Sequence, residues 1–179
     1  GGLMIRLGCL GRFSWEKNFV AAVASIVILP AEVTLMIAGA GPDGEVYARA
    51  ARSWGVADRV RVVGPVARVA HFLSEVDLLV VPSIFEATPS VVAEAMVRGV
   101  PVAATRVGDL PAILGGGRGI LLEDPSPEAI ADGIGRVLAD RSRLLRMSIA
   151  GRAFALEHLS AARMARGWEA AIATAMGWG

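Results

Sequence analysis

Short apolar runs bounded by turn residues alternate along this chain with longer segments whose apolar positions recur every three or four residues. The first pattern is that of buried strands, the second that of amphipathic helices. Strands are predicted at Leu3 to Leu10, Val33 to Ala38, Arg59 to Val63, Val76 to Val81, Val102 to Thr105 and Gly119 to Leu122. Between them fall an Ala/Val-rich helix ending near Leu29, one from Gly44 to Trp54, a short one from Val69 to Leu73, and one opening at Pro89 with Thr88 as its N-cap. Asp109 is expected to cap a turn or two ending at Leu114. Ser126 is expected to cap a helix with Pro127 at its first position, running to about Ala139. Two further helices, from about Arg141 to Leu156 and from Ala161 to Met176, close the chain, with His158 in the turn between them. Strict alternation of strand and helix predicts a doubly wound α/β fold, a Rossmann-like parallel sheet of about six strands with helices on both faces. No repeat, low-complexity segment or linker interrupts the alternation, so residues 1–179 read as one domain.

Composition changes that picture little. The apolar residues are largely Ala, Val, Leu and Ile, and aromatics are few, as suits parallel strands under Ala-rich helices. Net charge is +1 and the basic residues are scattered, which argues against a nucleic-acid surface. The single cysteine, Cys9, sits in an apolar run and reads as a small buried hydrophobe, so a cytoplasmic setting is the default. One stretch, Phe19 to Ala40, is apolar enough to suggest a spanning helix, but Pro30 and Glu32 divide it into a helix-length and a strand-length piece.

The stretch that carries chemistry is Pro82-Ser83-Ile84-Phe85-Glu86-Ala87-Thr88-Pro89-Ser90-Val91-Val92-Ala93-Glu94-Ala95-Met96. A buried strand that feeds a helix N-terminus leaves unpaired backbone N–H groups aimed into one crevice, which is an anion site. Glu86 precedes the helix and Glu94 lies on its second turn, ~10 Å further along. A ligand with an anionic middle and a polyol at each end, such as a nucleotide diphospho-sugar, fits that layout. Ligands of open α/β sheets bind beyond the carboxyl ends of the strands, so the loops at Gly11, Gly39, Gly64, Pro82 and Thr105 gather on one edge. That rule carries Arg12 and Lys17 toward the same crevice, a guanidinium fork and an ammonium suited to adjacent phosphates. The bland alternative for each of these charges is a solvated surface residue.

Gly39-Ala40-Gly41-Pro42-Asp43-Gly44 satisfies G-x-G-x-x-G after a strand and so invites a nicotinamide reading. The next strand, however, ends Val62-Val63-Gly64-Pro65 without the acid that would hold ribose, and Asp58 precedes that strand, at the opposite edge. His71 and His158 are far apart and without ligand-like companions, so no metal site is expected, and there is no nucleophile elbow or Walker lysine.

Taken in order, these segments resemble the C-terminal, donor-binding half of the retaining GT-B glycosyltransferases, group 1. Gly11-Arg12-Phe13-Ser14-Trp15-Glu16-Lys17-Asn18 is similar to the family's G-R-[LF]-x-x-E-K-[GN] segment, and Ala38-Gly39-Ala40-Gly41-Pro42 to its G-x-G-P turn. Arg59-Val60-Arg61-Val62-Val63-Gly64 is similar to R-V-x-F-x-G. Pro82-Ser83 with Glu86 and Glu94-Ala95-Met96 resembles P-S-x-x-E-x7-E-A-M, and Gly99-Val100-Pro101-Val102 resembles G-x-P-V. Each motif alone is weak; their order and spacing make the resemblance specific from Gly11 to about Leu138. It implies that Arg12 and Lys17 bind the donor diphosphate and stabilise the leaving charge, while Glu86 holds sugar hydroxyls and Glu94 the ribose. Thr88, Pro89, Ser90 and Val91 would form the phosphate-binding turn, Gly64-Pro65-Val66 would line the base, and Gly39 and Gly41 would let backbone come close. It further implies a metal-independent, retaining hexosyl transfer with no cofactor beyond the nucleoside-diphosphate sugar itself.

The sequence departs from the pattern at Ala87-Thr88-Pro89, where a glycine-rich pair is usual, and at Gly108-Asp109 and Ala112. The resemblance also implies a partner that this chain does not contain, an N-terminal acceptor-binding domain, through which any docking on a lipid surface would run. One half of a GT-B fold would bind a donor and transfer little alone. Two other readings fit the architecture: the nucleotide-binding domain of a sugar-nucleotide epimerase, and a non-catalytic nucleotide-sensing module.

Overall fold

The computed structural model describes residues 4–86 and 89–159. Strands β1 (Ile5–Leu10), β2 (Val33–Ala38), β3 (Val60–Val63), β4 (Leu78–Val81), β5 (Val102–Thr105) and β6 (Ile120–Leu122) form one sheet in the order β3-β2-β1-β4-β5-β6. Every pairing is parallel. The order reverses direction between β1 and β4, which makes the crevice beyond their carboxyl ends the topological switch point.

Helices cover both faces. Helices α1 (Phe19–Ile28), α2 (Gly44–Ser53) and α6 (Pro127–Ala139) pack on one side, over Leu7, Cys9, Leu35, Ile37, Leu78 and Val80. On the other side α3 (Val69–Ser74), α4 (Ser90–Val97), α5 (Leu110–Leu114) and α7 (Ser142–His158) pack over Leu79, Val81, Val102 and Ala104. Strands buried on both faces need no polar alternation, so β4 reads Leu-Leu-Val-Val and is wholly buried.

The apolar stretch from Phe19 to Ala40 breaks where Pro30 suggests. α1 stops at Ile28, and the guanidinium of Arg59 donates to the carbonyls of Ile26 (2.6 Å), Leu29 (3.1 Å) and Pro30 (3.0 Å). These bonds occupy carbonyls that a helix end leaves without amide partners. Among the described residues no helix is long and apolar enough to cross a membrane.

Several boundaries differ from the sequence expectation. α4 begins at Ser90, with Pro89 in the cap position at φ −69° and ψ 118° and its carbonyl accepting from the Val92 amide at 3.0 Å. Proline fixes φ but leaves ψ free, so it serves as an extended cap as readily as a first helical residue. The expected N-cap, Thr88, lies outside the described residues, as does the closing helix expected from Ala161 to Met176. Asp109 holds the cap position of α5 in αR backbone without a side-chain bond to the helix amides. His158 is not in a turn. It ends α7, where its ring lies 4.5 Å from that of Phe154, one turn earlier. Ser126 caps α6 as expected, its hydroxyl accepting from the Ala129 amide at 3.1 Å.

Candidate functional site

Register brings the first three turns side by side: Leu10 pairs with Ala38, and Ala38 with Val63, so Gly11, Gly39 and Gly64 follow strands that end in line. Backbone bonds stitch these turns together, from the Gly11 amide to the Ala38 carbonyl (3.1 Å), Phe13 to Ala40 (2.8 Å) and Gly39 to Gly64 (3.3 Å). Gly39 and Gly41 stand at φ +151° and +147°. A Cβ at Gly39 would lie 1.8 Å from the Gly11 oxygen, and one at Gly41 2.3 Å from the Phe13 oxygen. The backbone these glycines admit is therefore the chain's own first loop. Phe13 closes that contact from below, edge-on to Phe19 and Tyr47.

The loop after β1 continues into a 3-10 turn, Trp15–Lys17, and Asn18 at φ 55° links it to α1. Asparagine tolerates this left-handed conformation better than most side chains. Its Nδ2 donates to the Pro82 carbonyl (3.0 Å) and the Pro125 carbonyl (2.9 Å), tying the β1 loop to those after β4 and β6. The Ile84 amide donates to the Glu16 carbonyl at 2.8 Å, a second clamp across the switch point.

Those clamps bring Lys17 to Glu86, with Nζ 2.5 Å from Oε2 and side chains only 23% and 13% exposed. Ser83 Oγ donates to the same Glu86 oxygen at 3.2 Å, while Oε1 has no donor among the described residues. Ser83 is itself fixed from behind. It is fully buried, and Thr105, also buried, donates through Oγ1 to its carbonyl at 2.6 Å. Arg12, on the same loop, extends into solvent and pairs with Glu16 at 2.9 Å. Glu94 lies half-buried on α4 and makes no ion pair among the described residues. The Ser90 and Val91 amides, at the start of α4, have no acceptor among the described residues, as a helix N-terminus dictates. Gly64 and Pro65 are exposed at the end of β3, and Val66 is packed against the core of that face.

Of the residues singled out from sequence, the structure thus joins Lys17 to Glu86 and leaves Arg12 and Glu94 apart from that pair. Asn18, Ser83 and Thr105 were missed as positioning residues. Asn18 closes the 3-10 turn, and asparagine at the end of a turn is a signal for left-handed backbone. Ser83 stood in a recognised motif without a role, and nothing local marks Thr105. Among the described residues no group of three or more His, Cys, Asp or Glu is placed to hold a metal ion.

An all-parallel, doubly wound sheet with a charged pair and a helix N-terminus at its switch point defines a Rossmann-like domain. Residues 5–140 match the family described as Glycosyl transferases group 1, and the chain belongs to that family. It is 35% identical over 150 residues to the D-inositol 3-phosphate glycosyltransferase of Xylanimonas cellulosilytica, covering 80% of this chain and 36% of that protein. Its fold matches that of Alr3699/HepE from Anabaena in complex with UDP-glucose, with a TM-score of 0.88 at 20% identity, over 96% of this chain and 49% of that one. It also matches the C-terminal domain of the group 1 family protein LpcC from Francisella tularensis, with a TM-score of 0.79 at 19% identity, over 88% of this chain and 87% of that domain. The chain spans little more than a third of the curated relative.

Proposed function

We propose that this chain is the donor-binding half of a glycosyltransferase and holds a nucleoside-diphosphate sugar at the β1/β4 switch point. The observation that carries the reading is the Lys17–Glu86 pair, set between the β1 loop and the N-terminus of α4. In this reading the diphosphate lies against the Ser90 and Val91 amides and draws Lys17 from Glu86, with the exposed guanidinium of Arg12 closing over it. Glu86 then accepts from sugar hydroxyls through both oxygens. As the glycosidic bond breaks, negative charge grows on the diphosphate, and two cations and a helix N-terminus stabilise it where a metal would otherwise serve. Glu94 takes the ribose hydroxyls, and Gly64, Pro65 and Val66 line the base.

Retention of configuration and hexosyl transfer belong to the same reading, as does an acceptor half carried by another domain. The UDP-glucose bound to Alr3699/HepE supports a nucleotide sugar as donor, and the name of the Xylanimonas relative supports a cyclitol phosphate as one class of acceptor. The likeness to an isolated C-terminal domain supports a half that folds alone; that it transfers little without the acceptor half is part of the same reading.

Calorimetric titration with UDP, GDP, ADP and NAD tests the reading. One nucleoside diphosphate should bind, and Lys17→Ala should weaken it about tenfold or more, as expected for a hydrogen bond between charged groups. Tighter binding of NAD than of any diphosphate, or equal diphosphate affinity in Lys17→Ala, overturns it.

A further inference from the structure

Beside the Lys17–Glu86 pair stand two aromatic rings that the fold does not use. Trp15 and Phe85 are 67% and 66% exposed, and their rings meet edge to face with centroids 6.0 Å apart. Large aromatics of this kind bury most of their surface when they serve a core, as Phe13, Phe19 and Phe72 do here. Nor are these two on free tips of chain. Trp15 opens the 3-10 turn that carries Lys17, Phe85 directly precedes Glu86, and the Ile84–Glu16 backbone bond fastens one segment to the other. An edge-to-face pair leaves the broad face of one ring unpacked, and Glu86 Oε1, one residue away, still lacks a donor among the described residues.

Resting on the donor-site reading, we propose that Trp15 and Phe85 form a stacking platform for a hydroxylated six-membered ring, the unit shared by a hexopyranose and a cyclitol. Such rings have an apolar C–H face, complementary to the negative face of an aromatic, and a rim of hydroxyls that donate to a carboxylate. A flat aromatic surface next to an acceptor oxygen offers both halves of that recognition. A ring so placed is steered by Trp15 and Phe85 while the diphosphate is held elsewhere, so the pair sets ring specificity without contributing to phosphate affinity. The ring could belong to the donor sugar or to the incoming acceptor, and the two sources separate by experiment.

The test uses the chain with Trp15→Ala, Phe85→Ala and Trp15→Phe. The donor arm measures how much the attached sugar adds to the affinity of the diphosphate that binds. The acceptor arm measures saturation transfer from protein to free myo-inositol and methyl α-glucopyranoside, with and without that diphosphate. Both alanine variants should keep the parent's diphosphate affinity and lose about three- to tenfold of one ring readout, with Trp15→Phe restoring most of it. Loss in the first arm assigns the platform to the donor sugar, and loss in the second to the acceptor. Unchanged readouts in both arms overturn the proposal. So does an equal fall in diphosphate affinity, which would make the rings mere supports of the loop. If no diphosphate binds at all, the donor-site reading fails, yet the free-ring arm still decides the platform.

Discussion

At the scale of single residues, Gly39 shows how a familiar motif can carry a different meaning from the one its pattern suggests. Gly39 and Gly41 fit a dinucleotide fingerprint by spacing, but the backbone they let in is the Gly11–Phe13 loop, and that contact is what sets the β1 loop beside the switch point. The sequence displays the glycines; it cannot display which distant carbonyl lies 1.8 Å from the missing Cβ. The consequence is measurable against Gly55, which also has positive φ (+70°) but no atom within 4 Å of its missing Cβ. Gly55→Ala should cost only the left-handed penalty, about 1–2 kcal/mol. Gly39→Ala must move backbone as well and should cost about 3 kcal/mol or more. Denaturant unfolding of the two variants checks the ranking, and equal costs would mean the loop yields without penalty.

Whole elements were easier to foresee than the side chains that join them. β2, β5 and the end of α6 fall where the apolar patterning puts them, because burial keeps β2 apolar but for the half-buried Thr34 and β5 apolar up to Thr105, and Ser126-Pro127 marks a helix start without ambiguity. β4 is shorter than expected, starting at Leu78, since Asp77 turns aside to meet β1. Its carboxylate accepts from the Arg6 amide (2.8 Å), Nε (3.1 Å) and Nη2 (2.8 Å). No periodicity reveals a pair 71 residues apart. Burial alone would raise the Asp77 carboxyl, but the Arg6 bonds outweigh it and hold the group below the ordinary carboxylate range. A depressed carboxyl stabilises the fold above its unfolded value, about 3.9, and the gain is lost as pH falls through the lowered folded value. Since the pair is 51% and 29% exposed, solvent screening limits the gain to about 1 kcal/mol. Asp77→Asn should therefore be less stable at pH 7 by about that amount and lose less than the parent below about pH 4. Parallel stability curves across that range would remove Asp77 from the acid response.

At the scale of the whole molecule, what the sequence could state was architecture and the edge of the sheet where chemistry gathers. What it could not state was the pairing of Lys17 with Glu86 rather than with Arg12's neighbours, since both partners are placed by clamps from Asn18, Ser83 and Thr105 that act across the fold. The same interdependence can be read out at Cys9, which is fully buried in β1, between β2 and β4, with helices over both faces of the sheet. Burial also pushes its thiol up, so little thiolate exists to react even where a reagent arrives. A central strand has no edge from which to fray, so labelling requires opening of the entire sheet. For a domain of ordinary stability that protects the thiol by a factor of about 10⁴ or more. Labelling in low denaturant should then share the slope of global unfolding. A nucleoside diphosphate at 100 times its Kd should slow labelling about a hundredfold, although Cys9 itself is buried beneath the site and beyond any ligand's reach. A shallower slope, or a rate indifferent to the nucleotide, would mean that β1 opens by a local route and that the clamps at the switch point do not bind the two sides of the sheet into one cooperative unit.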